Sequence, residues 1–300
     1  MNGGHDDHDA PLRRDVPTPG PVETVAADDP RVEPFRSLRD PDLVRAGEGD
    51  GWFIGEQLLV LERMLARPGT TISILASPRM AERARTLRDA SADPAPPIMV
   101  AEDAVLESIV GFDLHRGLLA LGRRPADGLA RIEALLGEDR GEGDRPVALL
   151  ACEEIRNIDN IGLLFRNAAA FGVGGVLLSP GCHDPLYRKS LRVSIGHALG
   201  IPFARLEPWP TALGALCRRF GVRLLGAALD ADATPLGQVA TDRRIALLVG
   251  SEFPGLAGNA KSICDELVRI PMASGVDSLN VGVASAVCLA RLREPWLEGT

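Results

Sequence analysis

Residues 147–178 read VALLACEEIRNIDNIGLLFRNAAAFGVGGVLL, and two apolar runs in this stretch flank a segment with helical spacing. The runs Val147–Ala151 and Val176–Leu178 are short and almost continuously apolar, which is typical of strands buried on both faces of a sheet. Between them, apolar residues over Ile161–Phe171 recur at the period of an α-helix. The order strand, helix, strand predicts a parallel sheet covered by helices.

The same alternation continues to the end of the chain. We predict helices near Pro185–Ala198, over Thr211–Phe220 and over Leu279–Arg293, and strands over Val222–Leu229, Ile245–Val249 and Val268–Ile270. Upstream, helix-like pieces alternate with strand-like pieces over Glu56–Ala66, Ile72–Ala76, Arg79–Arg88, Ile98–Val100, Ala104–Val110 and Leu118–Leu121. The fold class is therefore α/β, with a small α/β domain in front of a larger one.

Changes in composition predict the domain boundaries. Residues 1–38 are acidic and proline-rich without apolar periodicity, so we expect a disordered tail. Residues 137–145 are polar and glycine-rich, which is typical of an exposed linker. We therefore predict a front domain over 39–125, a linker over 126–145 and a second domain over 146–300.

Composition excludes several classes of protein. The chain has 300 residues, 45% of them hydrophobic and 25% charged, as in globular proteins. It has no apolar run near the ~20 residues that cross a bilayer, and its first nine residues are acidic rather than basic and apolar, so we expect a cytoplasmic protein. The five cysteines are scattered, which favours reduced thiols over disulfides or a zinc site. His183 and His197 also lack the spacing of ligands, so no metal is expected.

The net charge of −8 by itself argues weakly against a nucleic-acid partner. Residues 1–40, however, hold nine acids against five arginines and account for half of that excess. The charge of local surfaces therefore matters more than the total.

Parallel sheets bind ligands in the loops beyond the carboxyl ends of their strands. Three such loops combine glycine or proline with polar residues, over 157–167, 250–256 and 271–280. A P-loop motif is absent from the sequence, and the glycines of 172–175 follow a helix and precede a strand, which indicates a helix end rather than a dinucleotide site.

The three loops carry motifs that resemble those of a known family. They are Asn160-x-Gly-x-x-x-Arg166-Asn-Ala, then Ala246-Leu-Leu-Val-Gly-Ser-Glu252-x-x-Gly-Leu256, then Ile270-Pro-Met-x-x-x-x-x-Ser278-Leu-Asn280. Together they look like the signature motifs of the SpoU (TrmH) family of RNA ribose 2′-O-methyltransferases, in the SPOUT superfamily. The resemblance covers about residues 145–293. Upstream, residues 51–56 and 110–122 look like a small RNA-binding domain similar to a ribosomal-protein (L30e-like) fold.

The resemblance implies an enzyme that transfers a methyl group from S-adenosylmethionine to a ribose 2′-hydroxyl of structured RNA, with ribosomal RNA favoured over tRNA. It also implies a homodimer and a deep trefoil knot in the catalytic domain, and neither a membrane nor DNA as a partner. The alternative is a catalytically idle RNA-binding or ribosome-assembly protein on the same fold, which should have lost some motif residues.

Five residues match the family's catalytic positions. Arg166 would clamp a phosphate of the target nucleotide and orient its hydroxyl, since a guanidinium stays charged and is a poor base. Glu252 would orient Arg166 or the ribose, with a plain salt bridge to Arg166 as the alternative. Ser278 and Asn280 would hydrogen-bond near the cofactor and the attacking ribose, although Ser278 is also suited to cap a helix. Asn160 is equally suited to cap a helix, which would fix the loop in which Arg166 works.

Four residues match positions that hold the cofactor, namely Gly250, Ile270, Met272 and Leu279. The sequence departs from the family pattern at Phe253-Pro254, where relatives often have glycine, and at Asp159, which adds an acid near the expected RNA phosphate. RNA contacts are expected from arginines and lysines, with candidates at Arg116, Arg123, Arg124, Arg188, Lys189 and Arg192.

Overall fold

The computed structural model describes residues 18–36, 51–111, 114, 117–126, 128–137, 146–241, 244–251, 253–276 and 278–297. Within these ranges, no helix is long and apolar enough to cross a membrane. All five cysteines are free and four of them are buried. Burial raises the pKa of the Cys288 thiol to about 12.

The predicted parallel sheet is present in the second half of the chain. Its strands are β6 (Val147–Glu153), β7 (Gly175–Leu178), β8 (Phe203–Arg205), β9 (Arg223–Ala227), β10 (Thr234–Pro235), β11 (Arg244–Gly250) and β12 (Glu266–Arg269). The strand order is β10-β12-β9-β11-β6-β7-β8, and every neighbouring pair is parallel.

Helices cover both faces of this sheet. They are α4 (Gly128–Gly137), α5 (Ile158–Ala170), α6 (Arg188–Val193), α7 (Thr211–Phe220), α8 (Gly258–Lys261) and α9 (Val281–Leu297), with 3-10 turns at His197–Leu199 and Leu236–Gln238. Alternate residues of β6 point to opposite faces. Ala148 and Leu150 pack with α5, α6 and α9, whereas Leu149 and Ala151 pack with α4, α7 and α8.

The front half forms a mixed sheet of five strands. The strands are β1 (Val22–Thr24), β2 (Trp52–Glu56), β3 (Thr71–Ala76), β4 (Ile98–Val100) and β5 (Leu118–Arg123), in the order β1-β4-β3-β5-β2. The helices of this half are α1 (Leu58–Leu65), α2 (Pro78–Asp89) and α3 (Asp103–Val110). The helix predicted from Glu56 thus begins at Leu58, because residues 52–56 pair with β5 as a strand.

The prediction of a disordered tail over 1–38 is wrong for residues 18–36. Strand β1 pairs with β4, and a 3-10 helix over Pro30–Phe35 buries Val32 and Phe35 completely. The buried guanidinium of Arg88 donates to the carbonyl of Gly20 at 2.8 Å. Residues 1–17, 37 and 38 lie outside the described residues.

The prediction of a linker over 126–145 is wrong for residues 128–137, which form α4. Its residues Ile132 and Leu136 are fully buried against the parallel sheet. Arg244 donates to the carbonyl of Leu136 at 2.8 Å and so secures the end of the helix. Residues 138–145 lie outside the described residues.

The two halves share one hydrophobic core rather than forming separate bodies. A single cluster of buried side chains includes Val60 and Met64 of α1 together with Leu164 and Leu191 of the second half. The buried carboxylate of Glu56 accepts a hydrogen bond from Arg188 at 2.8 Å across the same boundary. This contact fixes the front half against the helices beside the candidate site.

Candidate active site

A cavity of about 430 Å³ lies beyond the carboxyl ends of β9, β11 and β12, where ligands bind in parallel sheets. Its volume is within the ~300–1,000 Å³ usual for small-molecule sites. All four residues predicted to hold the cofactor line it, namely Gly250, Ile270, Met272 and Leu279. Ser278, one of the predicted catalytic residues, lines it as well.

Gly250 permits a close approach of two backbone segments. A Cβ atom at this position would lie 2.6 Å from the carbonyl carbon of Gly255 and 2.7 Å from the nitrogen of Leu256. The loop after β11 therefore folds back over the end of its own strand, and Gly255 turns the chain at φ +83°. Phe253 and Pro254, where the sequence departs from the family pattern, line the cavity, and Phe253 is 90% exposed.

Glu153 is a buried residue of this site that the sequence reasoning missed. It is 4% exposed at the end of β6. Its carboxylate accepts hydrogen bonds from the indole of Trp209 at 3.0 Å and from the backbone nitrogen of Ala257 at 2.8 Å. It therefore anchors the far end of the 250–257 loop. The available signal was a carboxylate directly after an apolar run, which needs a partner when buried.

An ion pair forms part of the cavity wall. Lys261 of α8 donates to both carboxylate oxygens of Asp230, at 2.7 and 3.0 Å, and both residues line the cavity. Both side chains are about one-third exposed. The pair gives an otherwise largely apolar cavity one polar end.

The first and third motifs meet through two amide side chains. Asn280 donates from Nδ2 to Oδ1 of the buried Asn160 at 2.9 Å, across 120 positions of sequence. Asn280 also accepts from the nitrogen of Gly282 at 2.9 Å and so caps α9. The suggested cap at Ser278 is therefore wrong, because the helix begins two residues later than predicted.

The suggested cap at Asn160 is also wrong. Asn157 caps α5 by accepting from the nitrogens of Asp159 and Asn160, so the side chain of Asn160 is available for Asn280. Asn167, two turns further along α5, donates to the carbonyl of Gly282 at 2.6 Å and to the hydroxyl of Ser285 at 2.9 Å. Asn167 lies in the first motif but is not among the predicted site residues.

Arg166 is exposed on α5. Within the described part of the chain, its guanidinium forms no salt bridge. Burial, followed by the charges of Arg63 and Arg166, lowers the pKa of the His197 imidazole. Glu252, the proposed partner or neighbour of Arg166, lies outside the described residues.

Most of the basic residues expected to contact RNA are paired with acids. Arg188 and Arg192 face Glu56 at 2.8 and 3.7 Å, and Arg124 pairs with Asp184 at 2.8 Å. Lys189 pairs at 2.9 Å with Asp159, so the extra acid of the first motif is locally neutralised. Arg123 is exposed, and Arg116 lies outside the described residues.

The cavity at the carboxyl ends of the strands is suited to bind an organic molecule. It lies beside α5 and α9, which are joined by hydrogen bonds between polar side chains. In the described ranges, no cluster of His, Cys, Asp or Glu could hold a metal ion. The cavity offers backbone groups of three loops and an apolar wall. Next to it, α5 and α9 join through Asn160, Asn167 and Asn280.

Comparison with known proteins identifies what this arrangement is similar to. Residues 148–290 match the model of the SpoU rRNA Methylase family. Over 268 residues, the chain is 41% identical to an uncharacterized tRNA/rRNA methyltransferase of Mycobacterium tuberculosis (strain ATCC 25618 / H37Rv), with 87% of each chain covered. It is also 29% identical over 185 residues to the 23S rRNA (guanosine-2'-O-)-methyltransferase RlmB of Acinetobacter baylyi, covering 61% of this chain and 73% of the relative.

Solved structures share the fold. An AdoMet-bound rRNA methyltransferase from Sinorhizobium meliloti matches with a TM-score of 0.74 at 22% identity, covering 92% of this chain and 99% of that chain. The SpoU methyltransferase AviRb from Streptomyces viridochromogenes, in complex with AdoMet, matches with a TM-score of 0.71 at 22% identity, covering 90% and 100%. These matches extend over both halves of the chain.

Proposed function

Because the chain belongs to the SpoU rRNA methylase family, we propose that it transfers a methyl group from S-adenosylmethionine to a ribose 2′-hydroxyl of structured RNA. The observation that supports this most directly is the meeting of the three motif loops. The second and third motifs line one cavity of about 430 Å³, and the first joins the third through Asn160 and Asn280.

The residues of the cavity fit S-adenosylmethionine. Ile270, Met272 and Leu279 would provide an apolar surface for the adenine ring, and the absence of a side chain at Gly250 lets the loop of Gly255 and Leu256 pack against the end of β11. The bound cofactor supplies an electrophilic methyl group on a sulfonium. The polar end at Asp230 and Lys261 suits the charged or hydroxylated parts of the molecule.

The catalytic assignments keep the roles that the family resemblance implies. Arg166 clamps the phosphate of the target nucleotide in a planar, bidentate manner and so orients the hydroxyl toward the methyl group. Asn160 and Asn280 hold α5 against the start of α9, which fixes the position of Arg166 relative to the cavity. Ser278 hydrogen-bonds at the cavity edge, and Glu252 orients Arg166 or the ribose.

The family also supports three finer structural proposals. We assign a deep trefoil knot to the parallel-sheet half and an L30e-like fold to the front half. We also assign a homodimer that forms on the exposed apolar side of α9, where Val283 and Val287 are 50% and 39% exposed. Val281 and Leu289 of the same helix are buried within the chain.

Ribosomal RNA is the proposed substrate class ahead of transfer RNA. The supporting observations are the rRNA named for the relative RlmB and a front half that packs beside the candidate site. The alternative of a catalytically idle RNA-binding protein has little support, because Asn160, Arg166, Glu252, Ser278 and Asn280 are all retained.

The test is transfer of a radiolabelled methyl group from S-adenosylmethionine to 23S ribosomal RNA and to total tRNA. The proposal predicts label in 2′-O-methylnucleosides, which leave the adjacent bond resistant to alkali. Label on a base would contradict the assigned chemistry. Label in tRNA with none in ribosomal RNA would reverse the proposed order of substrates.

A further inference from the structure

A strip of basic side chains crosses the boundary between the two halves of the chain. It consists of four arginines, Arg63 in the last turn of α1, Arg67 just after α1, Arg131 of α4 and Arg166 of α5, together with the neutral His197 of the 3-10 turn between them. None of these five is joined to an acid by a salt bridge in the part of the chain that the structure describes. We call this set the seam strip.

The seam strip is held in place by contacts between the halves. Arg63 donates from Nε to the carbonyl of Ile195 at 2.6 Å and from Nη2 to Nε2 of His197 at 3.1 Å. Arg67 in turn donates to the carbonyl of Arg63 at 3.2 Å. A cation that donates to an imidazole nitrogen requires that nitrogen to be unprotonated.

The cations of the strip repel one another. Partial burial, followed by the charges of Arg131 and Arg63, lowers the pKa of Arg67. Burial, followed by the charges of Arg63 and Arg166, lowers the pKa of His197. Like charges held close together destabilise the free protein unless an anion binds between them.

The contrast with other basic residues indicates which anion binds. Arg188, Lys189 and Arg124, near the same boundary, are each paired with a carboxylate. The strip instead includes Arg166, the residue proposed to clamp the target phosphate, and its other arginines lie on or just after α1 and on α4. A row of guanidinium groups that extends from a phosphate clamp is suited to successive phosphates of one strand.

We propose that the seam strip binds the phosphate backbone of the substrate RNA as it leaves the active site, so that both halves of the chain contact one continuous strand. This inference rests on the proposed function. It assigns to Arg67 and Arg131 a role in positioning RNA that is separate from catalysis and from cofactor binding.

The experiment uses the full chain and a transcript of bacterial 23S ribosomal RNA, with binding measured at several salt concentrations. The test variant is Arg67→Gln with Arg131→Gln, which leaves intact the hydrogen bonds that Arg63 donates to Ile195 and His197. The control is Arg85→Gln with Arg219→Gln, which removes the same charge from exposed arginines paired with Glu82 and Glu133. Calorimetric binding of S-adenosylmethionine, expected to be equal in all three proteins, verifies folding.

We expect the test variant to bind about tenfold more weakly near 0.1 M salt. Its plot of log affinity against log salt should be shallower by about 1.5, since each phosphate contact contributes roughly 0.7–0.9 to the slope. The control should resemble the wild type. Equal affinity and slope in the test and control variants would overturn the proposal, as would absence of RNA binding by the wild type.

Methyl transfer, measured on the same proteins, separates this proposal from the proposed function. If RNA binding depends on Arg67 and Arg131 but no methyl transfer occurs, the proposed methyltransferase function is refuted, whereas the proposed role of the seam strip in RNA binding is supported. Methyl transfer that is equally efficient in the test variant and the control would refute the strip alone.

Discussion

Asn280 has two structural tasks that substitutions can separate. Its Oδ1 caps α9 and its Nδ2 bonds to Asn160. Asn280→Ala removes both and should cost about 1 kcal/mol of stability, the usual cost of a lost cap. Asn280→Ser keeps a capping oxygen but is too short to reach Asn160.

We therefore expect the serine variant to melt near the wild type while both variants lose methyl transfer. Thermal denaturation and single-turnover assays measure the two effects. Normal turnover in the serine variant would show that the bond between Asn160 and Asn280 serves only the fold.

For single residues, the motifs predicted which residues lie together at the cavity, but they did not predict which residues cap the helices. The four residues proposed to hold the cofactor and Ser278 line one cavity, and their roles there stay a prediction. The caps were mispredicted because Asn157, Asn160, Ser278 and Asn280 are all suitable capping residues within a few positions. Only the helix boundaries distinguish them.

Among the elements, α5 and α6 approach closely at Gly162. A Cβ atom there would lie 2.6 Å from Cβ of Val193 and 2.9 Å from the carbonyl oxygen of Ser190. Gly162→Ala should therefore destabilise the protein by roughly 1–3 kcal/mol through overpacking. Gly258→Ala in α8, where a Cβ would meet nothing within 4 Å, is the matched control. Chemical denaturation should separate the two variants, and equal stability would mean that the helices can move apart freely.

Residues 18–36 are a second test at the level of elements. Phe35 is fully buried, so Phe35→Ala should cost about 3–5 kcal/mol. Removal of residues 1–36 should lower the melting temperature further, because Arg88 then loses the carbonyl of Gly20. Removal of residues 1–17 is the control, and their composition predicts no change. An unchanged melting temperature after the longer truncation would contradict the packing described here.

Apolar runs predicted the central strands well, because a strand that is buried on both faces consists almost entirely of apolar residues. Strand β1 and helix α4 were missed for a physical reason. Each lies in a segment whose overall composition is polar or proline-rich, and a few residues such as Val32, Phe35 and Ile132 provide the burial. A few buried apolar side chains, separated by polar residues or prolines, do not produce a periodic pattern in the sequence.

For the whole molecule, the exposed apolar stripe of α9 tests the proposed dimer. Val283 and Val287 lie one turn apart and are exposed, and Leu279 continues the stripe to the cavity. Val283→Glu with Val287→Glu should convert a dimer to a monomer in light scattering, because charge would replace apolar contact area. Leu59→Glu with Leu129→Glu alters exposed apolar residues elsewhere and should leave the dimer intact. A wild-type monomer at micromolar concentration would refute the dimer.

The family, the parallel sheet and the motif positions were therefore accessible from sequence, whereas the joining of the two halves was not. The contact between Glu56 and Arg188 spans 132 positions, and no local pattern marks either residue as a partner of the other. Long-range pairs of this kind depend on the packed fold.

The most direct test of the account is single-turnover methyl transfer to 23S ribosomal RNA by the wild type, Arg166→Ala and Arg166→Lys, with calorimetric binding of S-adenosylmethionine alongside. We expect transfer by the wild type and a loss on the order of a hundredfold in Arg166→Ala, since a positioning contact is removed. Lysine should restore little because it lacks the planar fork, and cofactor affinity should be unchanged in all three. Near-normal transfer by Arg166→Ala would contradict the account.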